Sequence, residues 1–174
     1  QAIDKLFAET QDTETPFCLF ACSNEPHTPY TMGDPSKYDA DKLTLPANWV
    51  DTPETRAEYV QYLAEISYYD WQVGECLKLL DKHGHADNTL VVVVSEQGSS
   101  FPFAKWTCYD SGLQSAMIAR WPGRIQAGAT SHAMVEYVDV LPTFLHSAGL
   151  KLPNVLDGRS FLSVLTGQAT EHKD

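Results

Sequence analysis

Glu96 and Gln97 stand side by side at the end of an apolar run, and Lys105 follows them across a short loop. A carboxylate and an amide on adjacent turn residues offer hard oxygen donors, which suit a cation such as calcium or magnesium. Calcium takes roughly six to eight oxygens, so two side chains would be part of a site and not a whole one. Lys105 adds positive charge, and His27, in the string Asn24-Glu25-Pro26-His27-Thr28-Pro29-Tyr30, adds a hydrogen-bonding ring. Together they could hold an anion whose charge grows in a transition state. A proline on either side of His27 stiffens the loop and fixes where the imidazole points. The same residues also make up an ordinary polar turn, a solvated lysine and a loop histidine. Spacing alone leaves both readings open.

These residues need elements to position them. Residues 90–94 are five consecutive apolar residues, four of them valine, bounded by Asp87-Asn88 and by polar residues from Ser95 onward. That pattern predicts a strand buried on both faces. Ligands of open parallel α/β sheets gather beyond the carboxyl ends of strands, where Glu96 and Gln97 lie. Residues 17–22 (FCLFAC) predict a second buried strand, which places His27 just past its end. Residues 31–51 read as a long surface loop with turn formers Gly33, Asp34-Pro35 and Pro46.

Thr52-Pro53-Glu54 is a helix start, with a hydroxyl cap, proline at the first position and an acid in the first turn. The helix should run to about residue 83, with Gly84 just past its end. Its apolar stripe is Ala57, Val60, Leu63, Ile66, Val73, Leu77 and Leu80. Asp70 interrupts that face, which predicts a buried carboxylate, read as a structural anchor before a site residue. Residues 116–120 predict a third strand closed by Trp121-Pro122-Gly123, and residues 132–137 another. Asp139 should cap a helix ending near Gly149, and residues 160–165 a last short one. The order predicts an α/β architecture, a mostly parallel sheet flanked by helices.

With 174 residues, 43% apolar and 20% charged, the chain can bury one sizeable core. It is therefore expected to be a single domain or a large piece of one. It starts without Met, inside an amphipathic pattern with Ile3, Leu6 and Phe7 on one side. We therefore expect a piece of something longer. No apolar stretch is long enough for a membrane span, and the opening has no signal-peptide pattern. A net charge of −11 with 12 scattered Lys and Arg argues against a nucleic-acid partner. Cys18, Cys22, Cys76 and Cys108 lack zinc-site spacing and do not suggest a disulfide framework. Cys18 and Cys76 read as small buried hydrophobes.

As a set, several strings resemble the carboxyl-terminal portion of the catalytic domain of sulfatases, members of the alkaline-phosphatase-like superfamily. PFCLFACSNEPHTPY is similar to that family's strand and P-H-x-P loop, and Asp70-Trp71-Gln72-Val73-Gly74 to its D-x-x-V-G helix. The run from Asp87 to Ser95 resembles D-N-T-x-V-V-x-x-S, and Lys105 with Tyr109-Asp110-Ser111-Gly112 resembles K-x-x-x-Y-E-G-G. IARWPGRI, VDVLPTFLHSAG and DGRSFLSVLTG resemble the segments that follow, so the likeness covers nearly all of residues 1–174.

The resemblance implies metal-assisted hydrolysis of sulfate esters, or of sulfamates, with sulfated saccharides or small molecules as substrates. Calcium would be held by Glu96 and Gln97, and Lys105 and His27 would bind the sulfate and stabilise its charge. The family usually has Asp-Asn or Asp-His where Glu96-Gln97 stands, so each arm is one methylene longer here. The nucleophile, a Cys or Ser in C-x-P/A-S-R converted to formylglycine, has no match in this chain, and the family's paired aspartates are absent too. Both would come from an upstream half, and the chain alone is expected to be inactive. Family members are commonly exported or lysosomal, so the parent is expected in the periplasm, the extracellular space or the lysosome. The alternatives are a phosphodiester or phosphonate hydrolase of the same superfamily and a degenerate domain that only binds.

Overall fold

The computed structural model describes residues 1–11, 13 and 15–173, which divide into two compact units. The first comprises residues 1–86 and 94–116, the second residues 87–93 and 117–174.

The first unit is built on α2 (Pro53–Lys82), preceded by α1 (Ala2–Thr10). Thr52 caps α2 by accepting the Thr55 N–H at 3.1 Å, proline occupies the first turn, and Gly84 reverses the chain at φ +73°. These are the start and stop that the sequence predicts. α1 docks on the far end of α2 through Asp4, which accepts from His83 Nε2 at 2.7 Å and Lys82 Nζ at 2.8 Å. The His83 bond, then the Lys82 bond, holds the Asp4 carboxyl down at about 2. Phe7 fills the angle between the helices against Phe17 and His85. Residues 34–51 pack back on α2. Arg56 grips Asp51 and the Ala40 and Leu43 carbonyls, and Tyr38 bonds Ser67.

The buried face of α2 is only partly the predicted one: Val60 and Leu80 of the stripe are buried, but Ala57 and Ile66 are exposed. Val60, Ala64, Glu65 and Leu80 are its buried residues, while Asp70 is exposed. The interior acid of this helix is Glu65, whose Oε1 accepts the Met32 N–H at 2.6 Å while its Oε2 is buried without a hydrogen-bond partner among the described residues.

The sheet also departs from expectation. The described residues form two strands, β1 (Val91–Val94) and β2 (Met117–Arg120), paired antiparallel and not as a parallel sheet. All four residues of β1 are half-buried, where burial on both faces was expected. Residues 17–22 and 132–137 form no strand. A strand exists only as a ladder with a neighbour, and none of the described residues supplies one to these runs. Phe20 is accordingly 72% exposed, and Cys18, expected in the interior, is exposed with it. Cys76 is half-buried, and burial pushes its thiol up; all four cysteines are free.

The second unit gathers around Asp139, which is fully buried ahead of α4 (Val140–Ser147). Its carboxylate does not cap the helix. It accepts the Arg159 and Glu136 N–H groups and pairs with Lys173 at 2.9 Å, with His172 Nε2 at 3.2 Å. Burial pushes this carboxyl up, but Lys173 and the two backbone donors outweigh it and hold it at about 2. Thr143 gives its hydroxyl proton to the Asp139 carbonyl and takes the Phe161 N–H, which seats the turn ahead of α5 (Leu162–Leu165).

Candidate functional site

Glu96, Gln97, Lys105 and His27 all belong to the first unit. α2 positions the three segments that carry them, through a row of side chains at Tyr59, Tyr62, Glu65, Tyr69 and Gln72. Steps of three and four residues keep these on one side of the helix. Tyr69 donates its hydroxyl to the Val94 carbonyl at 3.3 Å, which holds the end of β1 just ahead of Glu96.

The loop of His27 is fastened to α2 at both ends. At its start, Ser23 Oγ lies 2.7 Å from Gln72 Oε1 and 2.8 Å from Glu25 Oε2, and it accepts the Glu25 N–H. At its end, Met32 bonds Glu65, and Gly33, at φ +80°, lies so close to the helix that a Cβ would sit 2.1 Å from the Ala64 carbonyl oxygen. Only glycine fits there. Both prolyl bonds around His27 are cis. The imidazole is exposed, and its Nδ1 meets the Thr28 carbonyl at 2.7 Å. A carbonyl only accepts, so Nδ1 carries the proton, and in the neutral ring Nε2 is left as the acceptor.

Lys105 sits in a tightly folded loop. Its N–H bonds the Ser99 carbonyl at 2.9 Å, and its ammonium lies 5.3 Å from the Trp106 ring centroid. It makes no ion pair among the described residues. Phe103 (φ +66°) and Trp106 (φ +69°) on either side are both left-handed, a conformation that costs a side-chain-bearing residue about 1–2 kcal/mol. Strain of this kind persists only where the surroundings over-determine it. Here Thr107 Oγ1 bonds the Ala104 carbonyl and Ser111 Oγ the Phe103 carbonyl. The loop also closes on two glycines. A Cβ at Gly98 would meet the Ser111 carbonyl oxygen at 1.8 Å, and one at Gly112 the Ala104 carbonyl oxygen at 2.4 Å. α3 (Asp110–Leu113) completes the closure.

The Glu96 and Gln97 side chains lie together. Gln97 faces both Glu96 carboxylate oxygens, and with its amide nitrogen turned toward them the contacts are 2.9 and 3.3 Å. The amide nitrogen satisfies the carboxylate in this arrangement, and a turn of the amide would present a carboxylate and an amide oxygen, the hard donors that calcium takes. The donor chemistry thus fits a hard metal ion. No cluster of three or more His, Cys, Asp or Glu occurs among the described residues, so this pair would be part of a coordination shell.

The His27 and Lys105 loops meet at Tyr30. Its hydroxyl lies 2.7 Å from Ser100 Oγ, and its ring stacks on Phe101, 6.5 Å between centroids and 10° between planes. Phe101, 7% exposed, is the hub of an aromatic cluster with Trp49, Tyr59 and Tyr62. The sequence reading missed this cluster and the α2 row beneath it. The available signal was the Tyr-Tyr-Glu-Tyr-Gln spacing, hidden because tyrosine is not counted in an aliphatic stripe.

The sulfatase family model matches residues 1–150. This chain belongs to the sulfatase family. It is 35% identical to an ulvan-active sulfatase of Formosa agariphila over 97% of its own length and 33% of that protein's. Sulfatases matched here extend well beyond it, since the chain spans between about a fifth and a third of the curated relatives. A solved sulfatase-type structure from Bacteroides fragilis superposes with a TM-score of 0.81 at 25% identity, over 95% of this chain and 40% of that one. A protein solved with its substrate D-glucosamine-2-N,6-O-disulfate gives 0.61 at 33% identity, over 71% and 27%. A phosphonate monoester hydrolase of Silicibacter pomeroyi gives 0.62 at 30%, over 78% and 28%. The sulfatase chain thus shares the alkaline-phosphatase-like fold of these enzymes, although its described sheet has only two strands.

Proposed function

We propose that this chain supplies one part of the active site of a sulfuric ester hydrolase acting on sulfated saccharides. The observation that carries the reading is Lys105, held between two left-handed residues and without an ion-pair partner among the described residues. An ammonium so placed can neutralise a sulfate oxygen as charge develops on it. His27 is its counterpart. Protonated, it donates from Nε2 to the same anion. Glu96 and Gln97 would hold calcium, which when bound supplies Lewis-acid polarisation of a sulfate oxygen. The saccharide preference rests on the relatives, which include an ulvan-active sulfatase and an N-acetylglucosamine-6-O-sulfatase.

No cysteine or serine here stands in C-x-P/A-S-R, so the nucleophile is expected from outside residues 1–174 and the isolated chain is expected to bind without turnover. Calcium titration of the intact protein that contains this chain, against Glu96→Ala, tests the ligand assignment. Unchanged affinity would sink it. The phosphonate monoester hydrolase likeness favours a second reading, in which the same charges act on a phosphorus oxyanion. The ratio of kcat/KM on 6-O-sulfated glucosamine to that on a phosphonate monoester separates the two. A ratio well below one would favour the second.

A further inference from the structure

We propose that Tyr30 and Ser100 are a positioning pair that sets the spacing between His27 and Lys105, an inference that rests on the sulfate-binding role given to those two residues above. His27 and Lys105 arrive on separate loops, and each loop is individually tight. The His27 loop is fastened to α2 at Gln72 and Glu65, and the Lys105 loop is closed on itself by Thr107, Ser111, Gly98 and Gly112. Both loops also rest on α2, the Lys105 loop through Phe101 against Tyr59 and Tyr62. The helix seats each loop, and the direct contact between them at Tyr30 sets their final spacing. The Tyr30 hydroxyl bonds Ser100 at 2.7 Å and its ring lies parallel to Phe101.

The connection to both functional side chains is short. Tyr30 is the third residue after His27, across a proline whose ring restricts the backbone between them. On the other side, Ser99, next to Ser100, accepts the Lys105 N–H at 2.9 Å. Tyr62 of α2 also packs against the Tyr30 ring, 5.5 Å between centroids. Burial pushes the Tyr30 hydroxyl up despite its bond to Ser100, so it stays a neutral phenol able to donate.

Two groups that share one anion must both sit within hydrogen-bond reach of it, and an error near 1 Å costs about a hundred-fold in rate. Removing the link while keeping the rings should misplace the groups by less. Tyr30→Phe in the intact protein is expected to lower kcat about ten-fold with KM changed less than about two-fold. Ser100→Ala should match it, the double variant should be no worse than either single one, and Ser100→Thr should restore most of the rate. A purely structural role would lower the melting temperature without this kcat pattern. Unchanged kcat in Tyr30→Phe, or additive losses in the double variant, would overturn the proposal.

The His27 ring proton signals, followed by NMR, give a readout independent of turnover. Tyr30→Phe and Ser100→Ala should both shift or broaden them, and unaltered signals in both would also overturn the proposal. If the wild-type protein cleaves no sulfate ester, the sulfatase reading fails, and the His27 signals alone decide on the positioning pair.

Discussion

α2 and the Lys105 loop reach fixed shapes by opposite routes. The helix is specified locally: a threonine cap, a proline in the first turn, a left-handed glycine past the end, and hydrogen bonds made within the segment. The loop is specified by what it touches. Two bulky residues are left-handed, two glycines lie against backbone carbonyls, and its start is anchored by Phe101 stacked on Trp49. A local specification is redundant, because each turn of helix supports the next. A tertiary specification is not, so single changes in the loop should cost more than single changes in the helix.

The largest expected effect is at the tip of the loop. Lys105→Ala should lower kcat on a sulfate ester by about a hundred- to a thousand-fold, the usual loss when one charge-stabilising group is removed. A loss under about five-fold would remove Lys105 from the sulfate site. Next is Gly98→Ala. Its Cβ would sit 1.8 Å from the Ser111 carbonyl oxygen, so backbone must move, at a cost on the order of 2–4 kcal/mol in urea unfolding. Glu65→Ala touches the helix where it serves a loop, leaving the Met32 N–H without its acceptor. About 1–3 kcal/mol is expected, with Glu65→Gln recovering most of it. Smallest is Thr52→Ala, a pure cap loss of about 1 kcal/mol with no change in kcat. If Thr52→Ala proved more costly than Gly98→Ala, the contrast between the two regions would be wrong.

The same contrast explains what could be read from the sequence. Thr52, Pro53 and Gly84 mark the ends of α2 because capping chemistry acts within a few residues. Val60 and Leu80 of its buried face were legible too, but Asp70 was placed inside and Glu65 overlooked. The reason is that the Met32 N–H bonds Glu65 and Gly33 lies against the Ala64 backbone, contacts that helical periodicity does not contain. Residues 17–22 have strand composition, but a strand also needs a partner, and composition does not name one. Glu96, Gln97, Lys105 and His27 were legible as residue types in suggestive places. Their arrangement was not, since Phe103 and Trp106 stand at backbone positions where local rules would put glycine.

Trp106 is 92% exposed, so its left-handed backbone is supported by almost no packing of its own side chain. With Lys105 in the sulfate-binding role proposed above, the position would set stability against activity. Trp106→Gly would relieve up to about 1 kcal/mol of conformational strain at little cost in contacts, while freeing the ammonium beside it. A screen for thermal tolerance alone would therefore accept that substitution, and a screen for turnover would reject it.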